Sequence, residues 1–133
     1  MKKDFQNWHE KKEQVDRVNK RPFFNERQIW FCHLGVNVGF EEDGRGKDFL
    51  RPVIIFKKFN NEIFWGVPLT NSIKKNAPYY FVFSFTRDGV QRQNTAILSQ
   101  IRLIDARRLS YHVSEISRDD FQDLIEKLKR LFP

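Results

Sequence analysis

The sequence predicts a mainly β domain of the α+β class: a small, strongly bent sheet or barrel with helices at its ends. Along the 133-residue chain, short runs of strand-forming residues alternate with polar turns. Aromatic residues make up 15% of the chain and include 14 Phe, which favours strands and an aromatic-rich core. Helical patterns occur near the beginning and at the end, and no internal repeat or low-complexity segment interrupts the sequence.

The first helical pattern covers residues 4–19, which contain no Gly or Pro. Pro22 ends it, because the residue before a proline disfavours helical backbone. We therefore divide the chain into an N-terminal helical extension, residues 1–22, and a main domain, residues 23–133. The narrow apolar stripe of this helix predicts packing on the domain or on a partner protomer; alternatively, its basic face widens a nucleic-acid groove. The stripe consists of Phe5, Trp8, Val15 and Val18.

Runs of strand formers bounded by turn signals predict the strands of the main domain. Residues 60–62 and 87–89 are expected to form hairpin turns, and residues 105–108 a short helical turn. The predicted strands are residues 28–34, 51–58, 63–69, 79–85, 94–98, 100–104 and 111–116.

The C-terminal helix is the most clearly marked element of the sequence. Ser117 is a favourable N-cap, and Asp119 and Asp120 complement the positive end of the helix dipole. Apolar residues then recur at helical spacing, which predicts that one face packs against the sheet. This face consists of Phe121, Leu124, Ile125, Leu128 and Leu131.

The chain is strongly basic, with 24 Lys and Arg against 17 Asp and Glu and a net charge of +7. Such an excess favours a polyanionic partner, of which nucleic acid is the commonest. No apolar run approaches the ~20 residues that a membrane-spanning helix needs, and the charged start is unlike a signal peptide. We therefore expect a soluble, cytoplasmic domain with no membrane partner.

Several classes of site are excluded by residue type and spacing. Cys32 is the only cysteine, so no disulfide can form within the chain, and we expect it to be a small buried hydrophobe. His9, His33 and His112 are scattered without the spacing of metal ligands. The glycine patterns of phosphate-binding and dinucleotide-binding loops are also missing, which argues against an ATPase or a dehydrogenase.

Arg51 and Thr70 stand at the ends of two neighbouring predicted strands. Arg51 and Pro52 open a continuous apolar run, which suits a strand buried on both faces. Thr70 closes the following strand, so an antiparallel pairing brings the two residues together at one rim of the sheet. A guanidinium beside a hydroxyl suits a phosphate site, because Arg can donate two parallel hydrogen bonds to phosphate oxygens. The alternatives are a structural ion pair for Arg51 and an ordinary turn hydroxyl for Thr70.

The loop at residues 35–48 is longer than a connection between strands requires, which is typical of functional loops. Four glycines give it conformational freedom, and Arg45 and Lys47 give it positive charge. The alternative is a solvated excursion of the chain without a function.

Five sequence blocks resemble the MazF/PemK toxins. Residues 28–35 (QIWFCHLG), 39–41 (GFE) and 51–55 (RPVII) are similar to the opening strand, the acidic loop and the R-P-V strand of that family. Residues 68–70 (PLT) resemble its P-x-T segment. Residues 96–109 (AILSQIRLIDARRL) resemble its Q-I-R-T-I-D block, which is the longest and most specific of the five.

This resemblance covers residues 27–132 and implies a compact SH3-like barrel of the CcdB/MazF/Kid toxin type, usually a homodimer, with a C-terminal helix. The N-terminal helix is an addition to that domain. The resemblance also implies the toxin of a type II toxin–antitoxin system, a metal-independent endoribonuclease that needs no cofactor. Such enzymes cut single-stranded RNA by 2′-OH attack and leave a 2′,3′-cyclic phosphate and a 5′-OH. The implied partners are RNA and a cognate acidic antitoxin that folds on binding the basic groove.

By this resemblance, Arg51 and Thr70 match the catalytic arginine and threonine of the family. Arg51 would neutralise charge that develops on the phosphorane, and Thr70 would hydrogen-bond the scissile phosphate. Glu41 matches the acidic loop residue and would act as a base or orient Arg51. The residues expected to contact RNA are Arg45, Lys47, Asn71, Ser72, Lys74, Lys75, Gln100 and Arg102, the last two alternatively as dimer contacts.

The chain departs from the family pattern at two places. Residues 42–50 lengthen the loop before the arginine, and Ser99 stands where one branch of the family carries an aspartate base. Three alternative functions stay open: a non-catalytic nucleic-acid binder, a gyrase-directed inhibitor, and a structural module of a phage-like operon. The presence of both Arg51 and Thr70 favours the nuclease.

Overall fold

The computed structural model describes residues 21–34, 50–72 and 76–133. The predicted helix at residues 4–19 lies outside these ranges, and so does the whole of the long loop at residues 35–48. The described elements are the strands β1 (Gln28–His33), β2 (Leu50–Lys58), β3 (Ile63–Thr70), β4 (Tyr80–Arg87), β5 (Val90–Ile97), β6 (Arg102–Asp105) and β7 (Leu109–Glu115), the 3₁₀ turns Leu98–Gln100 and Ala106–Arg108, and the helix α1 (Arg118–Lys129).

The described strands form one antiparallel sheet in the order β4-β5-β3-β2-β1-β7. β6 pairs with the first half of β3, where Trp65 faces Leu103, whereas β5 pairs with the end of β3, where Thr70 faces Thr95. Because β3 changes partners along its length, the sheet curls into a half-barrel. The predicted mainly β fold with a bent sheet and a terminal helix is confirmed.

The prediction for the fifth strand was too short at its beginning. β5 runs over Val90–Ile97, so it starts four residues earlier than predicted, and residues 98–100 form a 3₁₀ turn instead of continuing as strand. The first four residues of β5 are all exposed, so they carry no hydrophobic pattern. Their strand conformation comes from pairing with β4 through a two-residue turn at Asp88 and Gly89, which have φ angles of 52° and 74°. Left-handed backbone at both positions matches the twist of a tight hairpin.

β2 is buried on both faces, as its apolar run predicts. Ile54 belongs to the core inside the half-barrel, whereas Val53 and Ile55 belong to a second cluster on the outer face of β1, β2, β3 and β6. Gly66 permits the tight packing of the second cluster. A Cβ atom at Gly66 would lie 2.6 Å from both Ile104 Cδ1 and Val53 Cγ1.

The C-terminal helix forms as predicted. The Ser117 hydroxyl accepts a hydrogen bond from the Asp120 amide at 3.1 Å, and acidic residues occupy the first turn. Leu124 and Leu128 are buried in the core inside the half-barrel, so α1 closes one end of the half-barrel. No helix in the described ranges is long and apolar enough to cross a membrane.

Asp105 joins the start of the described domain to the junction of β6 and β7. Its carboxylate accepts hydrogen bonds from the Arg21 guanidinium at 3.1 and 3.2 Å and from the Arg107 guanidinium at 3.2 and 3.0 Å. It also accepts from the Arg107 backbone amide at 2.8 Å and so caps the 3₁₀ turn. Partial burial alone would raise the pKa of Asp105, but the hydrogen bonds from the two arginines outweigh it and hold that pKa well below its ordinary value.

Candidate active site

Arg51 and Thr70 meet at the end of the half-barrel opposite α1. In the antiparallel pair of β2 and β3, Val53 faces Pro68. The same register, continued by two residues toward the start of β2 and the end of β3, places Arg51 opposite Thr70. The Arg51 Nη2 donates a hydrogen bond of 2.8 Å to the Leu69 carbonyl. The prediction that these two residues meet at one rim of the sheet is therefore confirmed.

Both residues are buried at the edge of a pocket. Arg51 is 2% exposed and Thr70 is 4% exposed, and both line a concave space of about 180 Å³. The other polar lining residues are Asn71, Arg87, Arg92 and Asn94. The described lining residues thus carry three arginines and no carboxylate.

The hydroxyl of Thr70 is oriented by its own turn. Its Oγ1 accepts a hydrogen bond of 3.3 Å from the Ser72 amide. Thr95, directly opposite Thr70, donates from its Oγ1 to the Ser72 carbonyl at 3.2 Å and so fixes the same turn. Because Thr70 acts as the acceptor in this contact, its hydroxyl hydrogen stays available for an acceptor in the pocket.

Arg87 and Arg92 are site residues that the sequence analysis missed. They flank the Asp88-Gly89 turn, and the hairpin register pairs Phe85 with Arg92, so both arginines lie on the pocket side of their strands. The Asp-Gly signal was available in the sequence and predicts a two-residue hairpin. Continuing that hairpin into the polar residues 90–93 would have placed Arg92 opposite Phe85, on the same face of the hairpin as Arg87.

Asn94 was missed as well. It is 6% exposed and lines the pocket, yet its side-chain amide makes no hydrogen bond with any residue in the described ranges. A buried amide in a protein interior is normally hydrogen-bonded, so an amide left open to a pocket marks a position where a ligand can bind. Its only signal in the sequence is its place on β5, one residue before Thr95.

The predicted site residues other than Arg51 and Thr70 divide into three groups. Asn71 lines the pocket, and Ser72 is adjacent to it and holds Thr70. Gln100 and Arg102 do not line this pocket. Gln100 ends the 3₁₀ turn after β5. Arg102 is exposed and lies opposite Gly66, which is four residues before Thr70 on β3. The predicted residues that lie outside the described ranges are Glu41, Arg45, Lys47, Lys74 and Lys75.

The chain enters and leaves the long loop at this same end of the half-barrel. The loop is flanked by Leu34, which follows β1, and by Leu50, which opens β2. These two strands pair with each other, and Cys32 of β1 faces Arg51 of β2. The two described residues that flank the segment with Glu41 therefore lie at the same end of the sheet as Arg51.

Cys32 is a packing residue, as predicted. It is fully buried in the outer cluster, and burial raises the pKa of its thiol well above the ordinary value, against the opposing effect of Arg108 and Arg102. A thiol in this state is a poor nucleophile. Among the described residues, no group of three or more His, Cys, Asp or Glu is arranged to hold a metal ion.

The pocket combines groups that are chemically able to bind and polarise a phosphodiester. A buried guanidinium supplies positive charge that water screens only weakly, and the neighbouring hydroxyl can donate to a phosphate oxygen. Two further arginines at the mouth attract a polyanion. This set can stabilise charge that develops on a phosphorus centre without supplying a nucleophile of its own.

Comparison with known proteins places the chain in a family. A sequence model of the PemK-like, MazF-like toxins of type II toxin–antitoxin systems matches residues 25–132. Among solved structures, the chain is similar to the Mycobacterium tuberculosis toxin MazF-mt6, with a TM-score of 0.58 and 14% sequence identity over 78% of this chain and 94% of that chain. No curated protein matches the chain with significant sequence similarity. With its half-barrel fold and a family match over most of its length, the chain belongs to the PemK/MazF-like toxins of type II toxin–antitoxin systems.

Proposed function

We propose that this toxin is an endoribonuclease that cuts single-stranded RNA without a metal ion, with Arg51 and Thr70 as its catalytic residues. The observation that carries the proposal is the meeting of Arg51 and Thr70 in a buried, basic pocket at the open end of the half-barrel. Family membership adds to it, because RNA cleavage is typical of these toxins. The described lining residues include no Cys, Ser or His that would act as a nucleophile. The substrate itself supplies one.

The proposed reaction is an internal transesterification. The 2′-oxygen of one ribose attacks the adjacent phosphorus, and the bond from phosphorus to the 5′-oxygen of the next nucleotide breaks. The 2′-OH loses a proton and the departing 5′-oxygen gains one, so no water is consumed. The products are a 2′,3′-cyclic phosphate and a 5′-OH. Holding the attacking oxygen, the phosphorus and the leaving oxygen in line can lower the activation barrier by roughly several kcal/mol. Positioning the substrate is therefore a principal task of this site.

Arg51 stabilises the additional negative charge of the phosphorane. Its position is fixed by the hydrogen bond from Nη2 to the Leu69 carbonyl, so little reorganisation is needed as charge develops. Thr70 donates its hydroxyl hydrogen to a non-bridging phosphate oxygen while Ser72 holds its Oγ1 in place. Removing one donor of this kind from an oxyanion site typically lowers kcat about 10²- to 10³-fold.

A base must take the proton from the 2′-OH, and we assign that role to Glu41. The described residues that line the pocket offer no carboxylate or imidazole. Glu41 belongs to the loop between Leu34 and Leu50, which lie at the same end of the sheet as Arg51, and it matches the acidic loop residue of the family. Arg51 cannot take this role, because a guanidinium stays protonated and has no acceptor for a proton.

We further propose that the toxin acts as a homodimer and is inhibited by an acidic antitoxin that binds along the basic groove. The net charge of +7 and the three arginines of the pocket favour an acidic segment. The affinity for this segment should fall as the salt concentration rises, and a salt-independent affinity would contradict the electrostatic part of the proposal. Light scattering across a range of protein concentrations tests the homodimer.

The function is tested with a mixed-sequence single-stranded RNA in buffer that contains EDTA. The wild-type protein should cut the RNA, and the new ends should be a cyclic phosphate by mass spectrometry and a 5′-OH that polynucleotide kinase labels directly. Thr70→Val removes the hydroxyl and keeps the shape, so cleavage should fall about 100-fold. Thr70→Ser keeps the hydroxyl and should retain most of the activity.

Intact RNA at high concentrations of folded wild-type protein would overturn the nuclease proposal. Cleavage that Thr70→Val leaves unchanged would overturn the assignment of Thr70. Tight binding of RNA without cleavage would favour the non-catalytic binder instead.

A further inference from the structure

The turn that follows β3 is polar and exposed. Asn71 and Ser72, the two residues after Thr70, both have exposed side chains. The last residue pair of the sheet before this turn is Thr70 with Thr95 of β5. A segment with few buried apolar contacts opens easily, so the hydrogen bonds of this turn decide how firmly it is held.

Ser72 is restrained at both its backbone amide and its backbone carbonyl. The amide donates to the Thr70 Oγ1 at 3.3 Å, and the carbonyl accepts from the Thr95 Oγ1 at 3.2 Å. The three residues therefore form a chain of hydrogen bonds that runs from Thr95 through Ser72 to Thr70. In the proposed reaction, Thr70 is the residue that donates to the scissile phosphate.

Thr95 is a buried polar residue whose side chain is outside the pocket. The buried polar or charged residues of the described ranges are Arg51, Thr70, Asn94 and Thr95, and the first three line the pocket. Thr95 is fully buried and does not line it. Valine suits a buried strand position of this size without the cost of desolvating a hydroxyl. The hydroxyl of Thr95 therefore has its use in the contact with the Ser72 carbonyl.

We propose that Thr95 is a positioning residue that acts on the reaction through Thr70. Thr95 holds Ser72, and Ser72 holds the Oγ1 of Thr70, so the hydroxyl hydrogen of Thr70 stays directed at an acceptor in the pocket. A donor that is already oriented needs little reorganisation when charge develops on the phosphate. This inference rests on the proposed function, because it assigns a support to one of the two catalytic residues.

The first test compares the kinetics of RNA cleavage in variants of Thr95. Thr95→Val replaces the hydroxyl with a methyl group, so kcat should fall about 5- to 10-fold, as the loss of one neutral hydrogen bond requires. KM should change by less than about 2-fold, because the contact of Thr70 with the phosphate strengthens in the transition state. Thr95→Ser keeps the hydroxyl and should restore most of kcat. Thr86→Val, the same substitution at an exposed position of β4 outside the pocket, is the matched control and should leave kcat unchanged.

A double mutant separates action through Thr70 from a general effect on the fold. Thr70→Val combined with Thr95→Val should cut RNA no more slowly than Thr70→Val alone, because the hydroxyl that the turn orients is already gone. If the two losses multiply instead, Thr95 does not act through Thr70 and the proposal is overturned. Melting temperatures and circular dichroism of each variant confirm that it is folded before its rate is interpreted.

Solvent exchange of the Ser72 amide tests the same hydrogen bonds without RNA. In isotope-labelled protein followed by NMR, Thr95→Val should speed this exchange at least about 5-fold, because the turn has lost its hold on the sheet. Thr95→Ser and Thr86→Val should keep the wild-type exchange rate. Amides of α1 should exchange at the wild-type rate in all variants, which excludes a loss of global stability as the cause.

The outcomes distinguish the positioning role from the proposed function. An unchanged exchange rate of the Ser72 amide in Thr95→Val overturns the positioning role, and so does an unchanged kcat in a protein that cuts RNA; both leave the nuclease standing. Faster exchange in Thr95→Val of a protein that never cuts RNA supports the orientation of Thr70 by Thr95 and overturns the nuclease.

Discussion

The two ends of the half-barrel are built from opposite kinds of residue. At one end α1 buries Leu124 and Leu128 against the core, and the closure is apolar. At the other end the strands leave a pocket open, and buried polar residues such as Arg51 and Asn94 line it. Burying polar groups lowers the stability of the fold unless their hydrogen bonds are satisfied. Burying leucine side chains raises it. The comparison indicates that the closed end stabilises the fold and that the open end is available for chemistry.

The largest expected effect is at the closed end. Leu124→Ala removes a fully buried side chain from the core and should lower the free energy of unfolding by about 2–5 kcal/mol. Urea denaturation measures the change, and Asp123→Ala, on the exposed side of α1, is the control. RNA cleavage per folded molecule should be unchanged at a temperature where both proteins are folded. A loss of cleavage in folded Leu124→Ala would show that the two ends are not independent.

The reverse experiment concerns Arg51. Arg51→Lys keeps the charge but loses the fork of donors, so the rate of RNA cleavage should fall at least about 100-fold while the protein stays folded. Arg130→Lys at the end of α1 is the same substitution at the opposite end and should have no effect on the rate. Equal rates for Arg51→Lys and wild type would contradict the role of the guanidinium.

A third substitution tests the sheet that joins the two ends. Gly66→Ala places a Cβ 2.6 Å from Ile104 Cδ1 and Val53 Cγ1, and this overpacking should cost about 1–3 kcal/mol of stability. Gly89→Asn is the control, because no other atom lies within 4 Å of a Cβ there and Asn tolerates the left-handed backbone of the turn. If both glycine variants melt at the wild-type temperature, the outer cluster is looser than these distances indicate.

The smallest expected effect belongs to the ion pairs of Asp105, outside both ends. Its pKa is lowered in the folded state, so its contribution to stability is present above the unfolded pKa of about 3.9 and is lost as the pH falls toward the folded pKa. Asp105→Asn should cost about 1 kcal/mol near pH 7, a modest value because the side chain is 28% exposed. Denaturation curves at pH 7 and pH 3 should show this difference shrinking in acid. A constant difference would mean that the charge contributes nothing.

Several elements could be predicted because their cause is local. Ser117 and the acidic first turn mark α1, and the Val53-Ile54-Ile55 run marks a strand buried on both faces. The meeting of Arg51 and Thr70 also followed from the sequence, since it needs only two adjacent antiparallel strands. The polar half of β5 could not be predicted from hydrophobicity, because its residues are exposed and are held in the strand by backbone pairing with β4.

The sequence by itself determined the strand order along the chain, the capped helix, the basic charge and the pair of polar residues at one rim. Each of these depends on local propensity, on side-chain periodicity or on neighbours in sequence. Only the tertiary structure decided which other residues join that rim. Arg87 and Asn94 reach the pocket because β3 exchanges β6 for β5 and the sheet curls, which brings β4 and β5 around to face β1 and β7. Curvature of this kind depends on packing across the whole sheet, and no single segment encodes it.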